Sequence, residues 1–355
     1  MFHKALWMRN QKLAAPAVWA VYLSLFFFLP FFFFGEAQSL QTQVDEFHVN
    51  PSQLNFSFHG VQIALFMTLI LVGFASLLIG PERTTHSTDL TFSLPFKRKD
   101  IFLSKWMFGA VHITTGLLVN LLLCMLIVRF TILNEIADAS FLLEFMSLVI
   151  PFSIAIFTFS MFIGTIAGSI ISQFILSFIF LFFPVGFFSL IGTFLMFHGV
   201  QLDMMTGLNE GSLNTFGDFI ATATLPVTIF EFAYYTDVVD NIYGSVSDHT
   251  RMPNYLTLFS PLIYFAVTFP LGIWFFSCTK NENNGRLLVF EKGKRFFSFG
   301  VILCFALAFG MAGGNLFSSY NNPSLISYYF SASIGAVLSY FVLRKIMNIR
   351  LGLSK

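Results

Sequence analysis

Charge is what this sequence has least of. Only 10% of its 355 residues are Asp, Glu, Lys or Arg, against roughly 25% in ordinary soluble domains. So few ionised groups cannot solvate a water-facing surface, which excludes a soluble globular domain. Cysteine is also sparse: Cys124, Cys278 and Cys304 lie in or beside apolar stretches, with no C-x-x-C spacing and no histidine pair nearby. That excludes a disulfide framework and a thiolate zinc site. The histidines at positions 3, 48, 59, 86, 112, 198 and 249 form no H-E-x-x-H helix, so no zinc-protease signature is present. There is no G-x-x-x-x-G-K-[ST] phosphate loop, and the apolar runs hold no series of carboxylates such as ion-coupled carriers use. From these absences we expect no catalytic residue, no metal site and no cofactor bound by this chain, and nothing in the modest net charge of +1 implies nucleic acid.

What is abundant is hydrocarbon. Hydrophobic residues make up 56% of the chain and phenylalanine alone contributes 51, more than a single water-soluble core would hide. Lipid, by contrast, accepts apolar side chains on every face of a helix. A spanning helix needs about 20 mostly apolar residues. Eight stretches satisfy that ruler: 15–34, 60–79, 106–130, 141–167, 170–197, 257–278, 296–314 and 325–343. The expected fold is an all-α polytopic integral membrane protein of about eight transmembrane helices.

The charges that do occur are sorted. With the N-terminus on the cytoplasmic side, all but Arg129 and Arg251 of the 19 lysines and arginines fall on that side, while most of the 18 acidic residues fall on the other. The positive-inside rule then sets both termini in the cytoplasm, and an even number of spans keeps every basic segment together. The expected organisation follows: 1–14 an interfacial helix at the cytoplasmic surface, carried by Leu6, Arg9 and Lys12; 15–80 the first two spans with their outer loop; 81–105 a cytoplasmic segment; 106–197 spans three to five; 198–256 an extracytoplasmic loop; 257–278 span six; 279–295 a basic cytoplasmic loop; 296–343 spans seven and eight; and 344–355 a cytoplasmic tail. The outer loop is far longer than the usual connection of about 4–6 residues. Its apolar part, 216–236, reads either as a re-entrant hairpin or as an external cap packed on the spans, the cap being the plainer reading.

Three polar details inside or beside the spans carry expectations of their own. His112 either faces a cavity or packs against a neighbouring helix, packing being the plainer reading. Arg129 and Glu144 are near enough in sequence to pair across a short loop, and both can also snorkel to water. Gly164 with Gly168, and Gly310 with Gly313 and Gly314, mark faces where helices approach closely.

The most informative stretch lies between spans two and three. Pro81 suits the first turn of a helix, Glu82 complements that helix's N-terminal dipole, and Pro95 ends it, so about three turns of surface helix are expected. Leu90 and Leu94 share one face of it. Lys97, Arg98 and Lys99 follow as a basic cluster suited to anionic headgroups, and Asp100 opens the helix that becomes span three.

Read as a string, Glu82, then Leu90, Ser93, Leu94, Pro95, Arg98 or Lys99, Ile101 and Lys105 resembles the permease subunits of type-2 ABC exporters, and among them the Ytr-like permeases of Firmicutes. The motif covers about 25 residues, and the arrangement of the first six spans extends it. Ser87-Thr88 stands where the family has Gly-Thr, and spans seven and eight exceed the family's six-helix core. The resemblance implies a coupling helix that docks on an ATPase subunit, with Glu82, Thr84, Ser87, Thr88, Leu90, Leu94, Pro95, Arg98 and Lys99 as coupling residues. It also implies separate cytoplasmic ABC ATPase subunits carrying ATP and magnesium, a second permease as homo- or heterodimer partner, and a place in the bacterial cytoplasmic membrane. The expected function is outward transport of a hydrophobic, amphiphilic or peptidic substrate. The alternative is a membrane protein that uses no ATPase: an ion-coupled carrier, an immunity protein or a membrane enzyme.

Overall fold

A computed structural model describes residues 3–51, 54, 60–85, 88–136, 140–199, 220, 222–229, 259–279, 285, 287–290, 293–316 and 324–348. It is all-helical, with no strand among these residues, and eight of its helices are long and apolar enough to cross a membrane. The chain therefore has the character of a multi-pass membrane protein, with as many spans as the apolar runs led us to expect.

The first span is longer than its apolar run. Helix α1 (Lys4–Phe26) passes into a π-helical segment (Phe27–Phe31) and then α2 (Phe32–Phe47). The expected separation of an interfacial helix at 1–14 from the span does not occur. Leu6, Asn10, Ala14, Ala17, Val21 and Leu25 form one buried stripe, spaced three or four residues apart, that crosses residue 14 without interruption. Continuous burial on one face gives the helix no reason to break there. The π segment coincides with Pro30, which lacks the N–H that a regular turn requires, and the wider turn accommodates the loss.

Helix α3 (Gly60–Thr84) is the second span. It corrects the expectation that Pro81 starts a new helix: Pro81 lies in the last turn of α3, and Thr85 N–H closes that turn onto the Pro81 carbonyl at 3.0 Å. The surface helix of three turns is accordingly shorter, the five residues of α4 (Thr88–Phe92). Next come α5 (Arg98–Phe130), the single turn α6 (Leu133–Ile136), α7 (Ser140–Ile166) and α8 (Ile170–Phe197). The α7–α8 corner is tight. Ser169 caps α8 reciprocally with Ser172: the Ser172 amide donates to Ser169 Oγ at 3.2 Å and the Ser169 amide to Ser172 Oγ at 3.0 Å.

The connection after α8 is described at 220 and 222–229; the remainder of 216–236 lies outside the described residues. The amide of Val185, next to Pro184 in the middle of α8, donates to Thr224 Oγ1 at 3.2 Å, and the Tyr264 hydroxyl donates to the Ala223 carbonyl. Val185 is about 22 Å along a helix of about 42 Å. Thr224 and Leu225 are fully buried. This part of the connection sits within the height of the bundle and does not cap its end.

Helix α9 (Ser260–Cys278) packs on α5 and α7, and α10 (Lys294–Leu316) and α11 (Leu325–Asn348) form a hairpin laid against α8. The glycine face expected in α10 is used within the chain. A Cβ at Gly310 would lie 2.7 Å from the Tyr328 ring of α11, and one at Gly314 would lie 2.6 Å from Phe197 of α8. Gly164 likewise makes room for Gln173, whose amide donates to the Ala75 and Ser160 carbonyls. His112 packs among Trp7, Phe108 and Tyr22, as expected. Arg129 and Glu144 are both exposed, and among the described residues no ion pair joins them.

Candidate functional site

The segments that carry the basic clusters converge on one end of the bundle. The Arg98 guanidinium donates to the Thr279 carbonyl at 2.7 Å and to that of Ser277 at 3.3 Å. The Gly285 amide donates to the Gly168 carbonyl at 2.6 Å, and the Val289 amide to that of Ile166 at 2.8 Å. The described residues of 3–12, 80–105, 166–170 and 279–294 thus share one end, called the basic end below.

An ionic cluster fixes α1, α3, α4 and α5 to one another there. Glu82 stands in the last turn of α3, and its two carboxylate oxygens accept from different helices: Oε1 from Arg9 of α1 at 3.2 Å, and Oε2 from Lys105 of α5 at 2.9 Å. Lys105, only 4% exposed, also donates to the Leu78 carbonyl at 2.7 Å, one turn before Glu82. Arg9 donates a second bond to Thr91 of α4 at 2.7 Å, and Asn10 donates to Ser104 of α5 at 3.1 Å. One carboxylate between two partly buried cations is held by opposite charge on both sides and has little freedom to turn.

Arg83 and Thr84, beside Glu82, face α8. Arg83, 2% exposed, donates to the Ala167 carbonyl at 2.7 Å. Thr84 Oγ1 accepts from the Ile170 amide at 3.0 Å, satisfying an N–H that the first turn of α8 leaves open. Gly80 makes this crossing possible, since a Cβ there would lie 2.6 Å from Ile170 Cα.

Helix α4 is thereby pinned along one side. Thr88 and Thr91 are buried, and Phe92 meets Phe276 of α9 edge-on at 5.7 Å between ring centroids. Arg98 covers the Phe92 ring at 4.3 Å. Phe96 lies 5.1 Å from the His3 ring at the start of α1. Its other side is bare: Leu90 is 73% exposed, Pro95, Lys97 and Lys99 are exposed, and Leu94 is half-buried.

The residues expected to couple to an ATPase therefore divide into two groups. Leu90, Leu94, Pro95 and Lys99 present a surface. Glu82, Thr84, Thr88 and Arg98 hold the segment to the bundle. Ser87 lies outside the described residues. Of the three residues expected on a membrane-surface helix, Leu6 is buried in the core, Arg9 is in the ionic cluster and Lys12 is exposed. Asn10, Thr91 and Ser104 belong to the cluster and were not singled out from sequence. The available signal was that Asn10 lies one turn beyond Leu6 on a face that otherwise holds only apolar residues.

Among the described residues, no group of histidine, cysteine and acidic side chains is arranged to hold a metal ion. Comparison with family models, curated proteins and solved structures finds no match.

Proposed function

We propose that this chain is the membrane-spanning permease subunit of an ATP-driven exporter of the type-2 ABC kind, with both termini in the cytoplasm and the basic end facing it. The observation that carries the reading is α4, a short helix tied to α1, α5 and α9 on one side and presenting Leu90 on the other. A partner that pushes on Leu90 acts on α1, α3, α5 and α9 through the bonds that Arg9, Glu82, Lys105 and Arg98 make between them. The basic residues around it, Lys97 and Lys99, suit both anionic headgroups and an acidic cleft. ATP and magnesium belong to the partner ATPase, and a second permease completes the translocation path. Long apolar helices with few polar groups favour a hydrophobic, amphiphilic or peptidic substrate, since little is present to replace the hydration shell of an ion or a sugar.

Purification of the full chain from its native membrane tests the reading. Expected is a stoichiometric subunit carrying a phosphate-binding loop, lost when Leu90 and Leu94 are replaced by Asp. Purification without such a subunit, under conditions that preserve the fold, contradicts it and favours a protein that works without an ATPase.

A further inference from the structure

The end of α1 and α3 opposite the basic end holds a cavity of about 460 Å³, within the roughly 300–1,000 Å³ range of small-molecule sites. Its wall is aromatic. Phe27 and Phe31 stack at 4.8 Å and 14°, and Phe28 stacks on Phe66 of α3 at 4.3 Å and 13°. Phe27, Phe31 and Phe66 are each at least 40% exposed, so their rings are not consumed by packing within the chain. The π-helical turn at Phe27–Phe31 presents these rings, since its extra residue per turn shifts the side chains off the regular helical stripe.

The lining also holds two polar side chains, Glu36 of α2 and Gln62 of α3. Glu36 follows the apolar run 15–34, about 12 Å along the helix from Phe28. The arrangement is an open aromatic groove with a carboxylate on its lining. Aromatic faces carry negative potential and attract cations, and a carboxylate does so more strongly. An anionic amphiphile meets repulsion from both, and a neutral one gains only the apolar contact.

We propose that this cavity is a binding site for a lipophilic cation, a molecule with an apolar or aromatic body and a single positive charge that lies near Glu36 while its body fills the groove between Phe28, Phe31 and Phe66. Only naming such a molecule as cargo rests on the transport reading. The site itself requires no ATPase.

Gly35 gives the test a clean plug. It lines the cavity, and an added Cβ there meets no atom within 4 Å, so a leucine can be placed on the wall without a clash at its Cβ. The full chain is placed in nanodiscs of zwitterionic lipid, and equilibrium binding of tetraphenylphosphonium is measured against its near-isosteric anion, tetraphenylborate, with empty nanodiscs as blank. Expected are saturable binding of the cation with none of the anion, loss of that binding in Gly35→Leu, a fall of about tenfold in Glu36→Gln, and recovery in Glu36→Asp. Thermal midpoints matching the unsubstituted chain establish that the variants are folded, and if Gly35→Leu is not, the pair Glu36→Gln and Glu36→Asp decides. Absence of saturable binding, equal binding of both ions, or undiminished binding in the folded variants overturns the proposal. None of these outcomes depends on whether an ATPase partner exists, so failure here is separable from failure of the transport reading.

Discussion

Helices α1 and α3 lie side by side, and their two ends are held by different physics. At the basic end, Arg9 of α1 and Glu82 of α3 are joined directly, with Lys105 of α5 completing the cluster. At the opposite end the π-helical continuation of α1 meets α3 through the Phe28–Phe66 stack, and beside it a cavity stays open. Charge pairs and hydrogen bonds are directional and leave one arrangement, whereas stacked rings slide at small cost. A helix pair built this way is fixed where a push would arrive and adjustable where a ligand would sit.

The comparison is broken most severely by removing the anion. Glu82→Ala leaves Arg9 and Lys105 with no carboxylate between them in a largely buried setting, which is expected to cost about 3–5 kcal/mol. Thermal unfolding in detergent reads this as a large drop in midpoint, and adding Lys105→Met to Glu82→Ala recovers part of it. If Glu82→Ala unfolds like the unsubstituted chain, the basic end is not held by this cluster.

Gly80→Val comes next. The crossing of α3 and α8 leaves no room beside Ile170 Cα, so the helices must separate, at about 1–3 kcal/mol. Protease sensitivity at the 167–169 corner should rise with it. Thr84→Val keeps the shape and removes the acceptor for the Ile170 amide, an effect of about 1 kcal/mol measurable in the same unfolding assay. The smallest change sharpens the contrast from the other side: Leu90→Asp replaces a side chain that is 73% exposed and should leave stability within about 0.5 kcal/mol.

Much of the architecture was legible in the sequence because hydrocarbon imposes a simple length rule. The apolar runs marked eight helices, and the brief interruption around Gly168-Ser169 marked the α7–α8 corner. The sorting of Lys and Arg anticipated that residues around 9, 82, 98 and 105 would share one end. What was not legible depends on contacts. Pro81 was read as a helix start because its fixed φ and missing N–H suit a first turn; the structure places it in the last turn of α3, where the Thr85 N–H still closes onto its carbonyl. The first helix was divided at residue 14 because polar residues precede it and apolar ones follow, yet its buried stripe ignores that change in composition. The residues expected to meet a partner were taken as one set, and only packing separates exposed Leu90 from buried Thr84 and Thr88. The aromatic cavity had no signature at all, since its phenylalanines are a few among 51.

The central claim is that α4 is a docking element fixed to the bundle, and Leu90→Asp tests it most directly. The variant and the unsubstituted chain are purified in parallel from the native membrane, with the thermal midpoint and the amount of co-purifying phosphate-loop subunit measured on each. Expected are an unchanged midpoint and loss of the subunit in Leu90→Asp. An equal amount of that subunit on a folded Leu90→Asp variant contradicts it.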